Sequence, residues 1–310
     1  MFIRTPSRQI AYFLLIALVA GVGVNSVQAA QGISQYGKPK YSDGFSHFDY
    51  VNPSAPRGGT LTLPNPGQRT SFDKFNPFTL RGITAPGIEL MFESLAEGSA
   101  DEVSSVYGLL AEDIQVAADH KSVIFRIREG AKFSDGTPVL AADVKHSFDV
   151  LMSSQAHPRY KTTFVDITQA VVLSAREIRF DFKNANTELP ILAGTLPIFS
   201  RNWGKKADGS MIPFDQMAFE TPLGSGPYLI ESFKAGKSIS FKRNPNYWAD
   251  HLGKPLNIRV GFYNFDRVLY KLYSDDALGI AQNAVDHVSP APTSVSTIGA
   301  RYGYRLGVYL

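Results

Sequence analysis

Apolar and polar positions recur along this chain in blocks that change period several times. In "GGTLTL", residues 58–63, Leu61 and Leu63 fall on one side and Thr60 and Thr62 on the other, which predicts a strand. "PNPGQRTSFDKFNPFTLRG", residues 64–82, holds too many Pro, Asn and Gly residues for a regular element and reads as a long loop, a place where function often sits. From 87 to 96 the period lengthens: Ile88, Met91, Phe92 and Leu95 stand at i, i+3, i+4 and i+7, which predicts a helix with one apolar face. "SVIFRIR" returns to alternation, with Val123, Phe125 and Ile127 inward and Arg126 and Arg128 outward. An Asp135–Gly136 turn follows. The next helix carries Val144, Phe148, Leu151 and Met152 on one stripe. Asp143 sits in its first turn, where a carboxylate meets the positive end of the helix dipole.

Further on, "EIRFDF" places Ile178, Phe180 and Phe182 on one face, and a short apolar helix is expected near "ELPILAGTL". "PYLIESF" and "SISFKR" joined by "KAGK" read as a hairpin, closed by the aromatic pair Tyr247 and Trp248. Residues 31–57 are polar and aromatic with several turn formers and read as an irregular arm laid over a surface. Strands and helices are interspersed, and most strands lie in hairpins. The fold class is therefore mixed, α+β or α/β.

Composition adds a compartment. Arg4 and Arg8 precede the uncharged run "AYFLLIALVAGVGV", and "VQAA" offers Val27 and Ala29 to a signal peptidase, so residues 1–29 read as a secretory signal. A membrane anchor is the alternative, though the run is short for a span of roughly 20 residues. The chain has 310 residues, 44% hydrophobic and 19% charged, an ordinary globular balance. It contains no cysteine, which excludes disulfides and lipid attachment at the cleavage site; stability must come from packing. Without Arg4 and Arg8 the formal charge falls from +3 to +1, and such a surface gives no support for nucleic-acid binding.

Candidate chemistry is sparse. The six histidines, His47, His120, His146, His157, His251 and His287, include no pair at i+3 or i+4, so neither a helical metal site nor a cofactor is expected. Ser225 in "LGSGPY" lacks the Gly-x-Ser-x-Gly spacing of a nucleophile elbow and leads into a strand, which suits a tight turn. A serine hydrolase stays open only if a distant Ser, His and Asp converge in space.

Two long stretches carry a resemblance. "VIFRIREGAKFSDGTPVLAADVKHSFDVL" and "GSGPYLIESFKAGKSISFKRNPNYW" resemble the diagnostic segments of the periplasmic solute-binding proteins of ABC importers, family 5. "HFDYVNPSAPRGGTLTL" with "FDKFNPFTLRG" is similar to the YejA-type oligopeptide-binding members, and the likeness runs over roughly residues 44–276. The resemblance implies a class II periplasmic binding fold, no catalysis, and a monomer in the periplasm of a Gram-negative bacterium. It also implies an oligopeptide ligand and inner-membrane ABC permease subunits as partners. In the family the loop after the first strand faces the ligand cleft. That implies peptide contact for Phe72, Phe75, Asn76, Pro77 and Phe78, with Phe92 as a further candidate; packing within the loop is the competing role for each. Gly224, Gly226, Pro227 and Tyr228 match a motif read as structural. One departure is visible: Leu140 and Ala141 stand where the family has a Ser or Thr helix cap, a loss of about 1 kcal/mol.

The resemblance divides the chain into a signal at 1–29, the first lobe at 30–276 and an atypical tail at 277–310. In "FYNFDRVLYKLYSDD" the alternation of Val268, Tyr270 and Leu272 is expected to form a strand leading toward a second lobe, which the 34 residues after Asp276 do not resemble. The tail carries only three charges, Asp286, Arg301 and Arg305, and sustains no period. A frameshift near Ala277 and a missing second lobe are the expectation, with a short protein bearing its own cap as the alternative. On that expectation the chain is either a peptide-binding import subunit or an inactive fragment without ligand.

Overall fold

The computed structural model of the chain describes residues 30–64 and 71–272. The expected signal at 1–29, the boundary at Asp276 and the tail at 277–310 lie outside these residues.

Alternating apolar residues build the first of two four-stranded sheets. Ala111–Val116, Ser122–Ile127, Glu177–Phe182 and Ile167–Val172 lie side by side in that order, all antiparallel. Val123 pairs with Phe180 and Phe125 with Ile178, so the inward positions meet across the strands, and all four are fully buried. The helix Ala141–Leu151 covers this face with Val144, Phe148 and Leu151, and the Phe148 ring meets Phe180 edge-on at 5.8 Å. Its missing side-chain cap is offset: the Asp143 carboxylate accepts the Leu140 N–H at 3.0 Å, satisfying a donor the helix leaves free. Arg128 departs from the expected outward position. It is half-buried, and its guanidinium donates to the Leu109 and Ala111 carbonyls at 3.3 and 3.2 Å.

The second sheet is mixed, ordered Tyr228–Lys234, Ser238–Arg243, Arg267–Lys271, Thr60–Pro64. The first two strands form the expected hairpin, and the last two run parallel. Leu61 pairs with Val268 and Leu63 with Tyr270, which puts these four on one face with Ile239 and Phe241. Phe72, Phe75, Ile88 and Met91 pack on that face. Thr60 and Thr62 share the opposite face with Arg267 and Leu269.

Two further expectations are corrected. Residues 87–96 are not a helix: Gly87, at φ 78°, opens a single 3-10 turn over Ile88–Met91, and Phe92 is already extended. Glu93–Ser94 then pairs with Pro197–Ile198, and Ala96–Gly98 joins Ser105–Gly108. The helical spacing was coincidental, because tertiary pairing outweighs local period here. The N-terminal arm is more than irregular covering. Gly32–Ser34 adds a strand to Ser105–Gly108, and buried Tyr41 and Phe48 pack edge-on against the Tyr107 ring at 5.7 and 5.5 Å.

Candidate ligand-facing end of the mixed sheet

The parallel pair gives the mixed sheet a direction. In open α/β sheets ligands bind beyond the carboxyl ends of the parallel strands, and the one parallel pair here defines such an end. Here that end is marked by the register row Lys234, Ser238, Lys271 and Pro64, with Phe233, Ile239, Tyr270 and Leu63 one step inward. The Leu272 N–H donates to the Lys237 carbonyl at 2.8 Å, so the hairpin turn and the outgoing strand are joined there.

The loop that follows Thr60–Pro64 returns at this end and is stitched to itself. Asp73 and Lys74 donate backbone N–H groups to Ile83, and Ala85 donates to Lys74, closing the segment 73–85 at its neck. Inside it the Lys74 ammonium is buried and saturated, donating to the Thr79 carbonyl at 2.8 Å, the Thr79 hydroxyl at 2.7 Å and the Arg81 carbonyl at 2.5 Å. Burial pushes this ammonium below the ordinary lysine range. The loop therefore holds its shape by a cation acting on carbonyl oxygens, while Leu80 at the tip is 61% exposed.

The loop residues named from sequence are brought together, but most face inward. Phe72, Phe75, Asn76 and Phe78 are buried. Asn76 donates through Nδ2 to the Phe214 carbonyl at 2.9 Å and accepts the Phe78 N–H at 3.0 Å through Oδ1, which makes it a brace between two loops. Phe78 lies 4.9 Å from the Phe92 ring and 5.2 Å from Phe199, with Trp203 and Phe214 beyond. Pro77 and Phe92 are half-buried. Packing, not an open surface, is what the geometry gives Phe72, Phe75, Asn76 and Phe78. At this end solvent meets aromatic rings at two positions not singled out from sequence, Phe219 and Phe233, each 43% exposed. Strict alternation would turn Phe233 away from Tyr228 and Ile230, but a bulge between Ile230 and Ser232 brings it to the face of Ile239, and Phe219, in a loop, carries no local signal.

A buried ionic network fixes the segments that enter and leave the hairpin at the opposite end of the sheet. The Glu93 carboxylate, 1% exposed, accepts from Ser225 Oγ at 2.9 Å and Trp248 Nε1 at 2.8 Å on one oxygen. Its other oxygen accepts from the Tyr247 hydroxyl at 2.5 Å and Arg259 Nη2 at 3.1 Å. Arg259 also pairs with Glu97 at 2.8 Å. Burial pushes the Glu93 carboxyl up, against the pull of Arg259 and the hydroxyl and indole donors. Ser225 is thus a buried hydrogen-bond donor to a carboxylate. Beside it, Gly224 and Gly226 are required by close approach: a Cβ would lie 1.8 Å from the Met91 carbonyl oxygen at Gly224 and 2.3 Å from that of Leu90 at Gly226. Among the described residues no cluster of three or more His, Asp or Glu side chains is placed to hold a metal ion.

A family model described as bacterial extracellular solute-binding proteins, family 5 Middle, matches residues 105–299, running past Asp276. An uncharacterized protein y4wM of Sinorhizobium fredii is 39% identical over 247 residues, covering 79% of this chain and 36% of the relative. A probable peptide-binding protein YejA of Agrobacterium fabrum is 37% identical over 273 residues, covering 84% and 43%. The chain thus spans about two-fifths of the length of these relatives. Among solved structures, the mannohexaose-bound periplasmic oligopeptide-binding protein of an ABC transporter from Thermotoga maritima superposes with a TM-score of 0.58 at 21% identity. That match covers 79% of this chain and 44% of the other, and it shows a shared fold.

Proposed function

Since the chain belongs to the bacterial extracellular solute-binding proteins, family 5, we propose that it takes part in capturing oligopeptides in the periplasm for an ABC importer and delivers them to inner-membrane permease subunits as a monomer. Members of this family are solute-binding proteins rather than enzymes. What carries the peptide reading is the carboxyl end of the parallel pair Thr60–Pro64 and Arg267–Lys271, where a lysine-clamped loop and exposed aromatic rings lie side by side. The 37% identity to a relative named as a probable peptide-binding protein supports the same ligand class. Peptide recognition of this kind draws affinity from backbone hydrogen bonds and tolerates many side chains. The Ser225 hydroxyl, engaged by Glu93 and 2% exposed, offers no support to a hydrolase.

Isothermal titration of the purified chain with defined tri- to hexapeptides tests the reading. Micromolar or tighter binding that is indifferent to most internal side chains is expected. No heat and no chemical-shift change with any peptide at millimolar concentration overturns it.

A further inference from the structure

Four phenylalanines from three separate segments meet at the carboxyl end of the mixed sheet. Phe219 and Phe233 stack nearly parallel, 5.5 Å apart with 9° between planes. Phe75 stands edge-on to both, at 5.1 and 5.2 Å, and Phe72 backs Phe233 at 5.9 Å. The inner two rings are buried, whereas the outer two keep 43% of their surface in water. The Phe75 N–H donates to the Ala218 carbonyl at 2.6 Å, so the segment carrying Phe219 is fastened to the loop that carries the inner rings. An exposed stack on a fixed base, with no polar atom between its rings, presents a ready surface to another ring.

Charge at the rim narrows the occupant. Lys237 lies in the hairpin turn, two positions before Ile239, the residue paired with Phe233, and so sits just beyond the last paired row of the sheet, Lys234 with Ser238. It is exposed, and no carboxylate lies within ion-pair distance of it among the described residues. A ring beside a cation suits a molecule that carries an aromatic group next to a carboxylate. Resting on the peptide-capture reading above, we propose that the Phe219–Phe233 stack is the subsite for an aromatic C-terminal residue of the bound peptide, its ring on the phenylalanines and its terminal carboxylate toward Lys237.

The test uses the full chain and four probes: Ala-Ala-Phe, Ala-Ala-Ala, the amide of Ala-Ala-Phe, and 3-phenylpropanoate, which has the ring and the carboxylate but no peptide bond. Ala-Ala-Phe should bind about tenfold more tightly than Ala-Ala-Ala, as expected of one aromatic contact. Amidation should weaken it severalfold, and Phe233→Ser or Lys237→Glu should erase the respective preference with circular dichroism unchanged. Equal affinity for Ala-Ala-Phe and Ala-Ala-Ala overturns the subsite and leaves peptide capture standing. Binding of 3-phenylpropanoate, lost in Phe233→Ser, with no binding of any peptide supports the stack and overturns peptide capture. Self-association that Phe233→Ser abolishes while peptide affinities stay unchanged assigns the stack to a second copy and overturns the subsite.

Discussion

Replacing Glu93 by Gln keeps the shape of the side chain and removes its charge, and the geometry makes the cost large. One carboxylate oxygen takes donors from Ser225 and Trp248, the other from Tyr247 and Arg259. An amide must put its NH2 at one of these two places. In one orientation that NH2 confronts the Trp248 indole N–H, in the other the Arg259 guanidinium, and neither group can accept a hydrogen bond. The substitution also takes one of two carboxylates from a guanidinium that is 7% exposed. Removing one partner of a buried ion pair costs about 3–5 kcal/mol, and an orphaned buried donor about 1–3. Arg259 keeps Glu97, so about 3–4 kcal/mol is the expected total, a large part of a stability that for ordinary domains is about 5–15 kcal/mol. Urea unfolding followed by tryptophan fluorescence reads it directly. With an m-value of about 2–3 kcal/mol/M the midpoint should fall by about 1–2 M. A fall of less than about 0.3 M would mean that the network adds little to the fold, and the reasoning would fail.

Further outcomes are expected. Gly224→Ala drives a Cβ into the Met91 carbonyl and should lower stability by about 3 kcal/mol or block folding, whereas Gly98→Ala, whose Cβ meets its nearest neighbour at 3.6 Å, should be tolerated, a contrast soluble yield and urea titration will display. Lys74→Met leaves the Thr79 and Arg81 carbonyls without their donor; loss of amide exchange protection confined to residues 73–85 is expected, with about 1–3 kcal/mol of destabilisation. Glu231 is held at a pKa of about 2 by its hydrogen bond from Arg267, with help from Ser240. Because that value lies below the unfolded one near 4.5, the stabilisation is complete above pH 4.5 and disappears as the pH falls to about 2. Glu231→Gln should therefore flatten the loss of thermal stability between pH 5 and pH 2, and an unchanged pH profile would refute the assignment.

What the sequence made legible was local. The alternation in "SVIFRIR" and "EIRFDF" and the stripe of Val144, Phe148 and Leu151 correspond to buried faces, because each depends only on neighbours a few positions away. The hairpin at 228–243 was readable for the same reason. Residues 87–96 were misread because their spacing fits a helix, while the partners that make them extended lie far along the chain, at Pro197–Ile198 and Arg259. The candidate site was half legible. Proline and aromatic density marked the loop at 72–78, but spacing could not tell rings that meet solvent from rings packed beneath them, and Phe219 reaches Phe75 only through the fold.

The pairing of Leu61 with Val268 also orders events in time. The earlier strand emerges from the ribosome with about 200 positions still to be made, which at about 5–20 residues per second is roughly 10–40 seconds of synthesis. Throughout that interval Leu61 and Leu63 have no sheet to join, and the antiparallel sheet around Phe125 and Phe180 can assemble first. Among the described sheets, the mixed one is therefore the last to close. A holdase acting on the nascent chain would fall on residues 60–63, the described strand that waits longest for its partner.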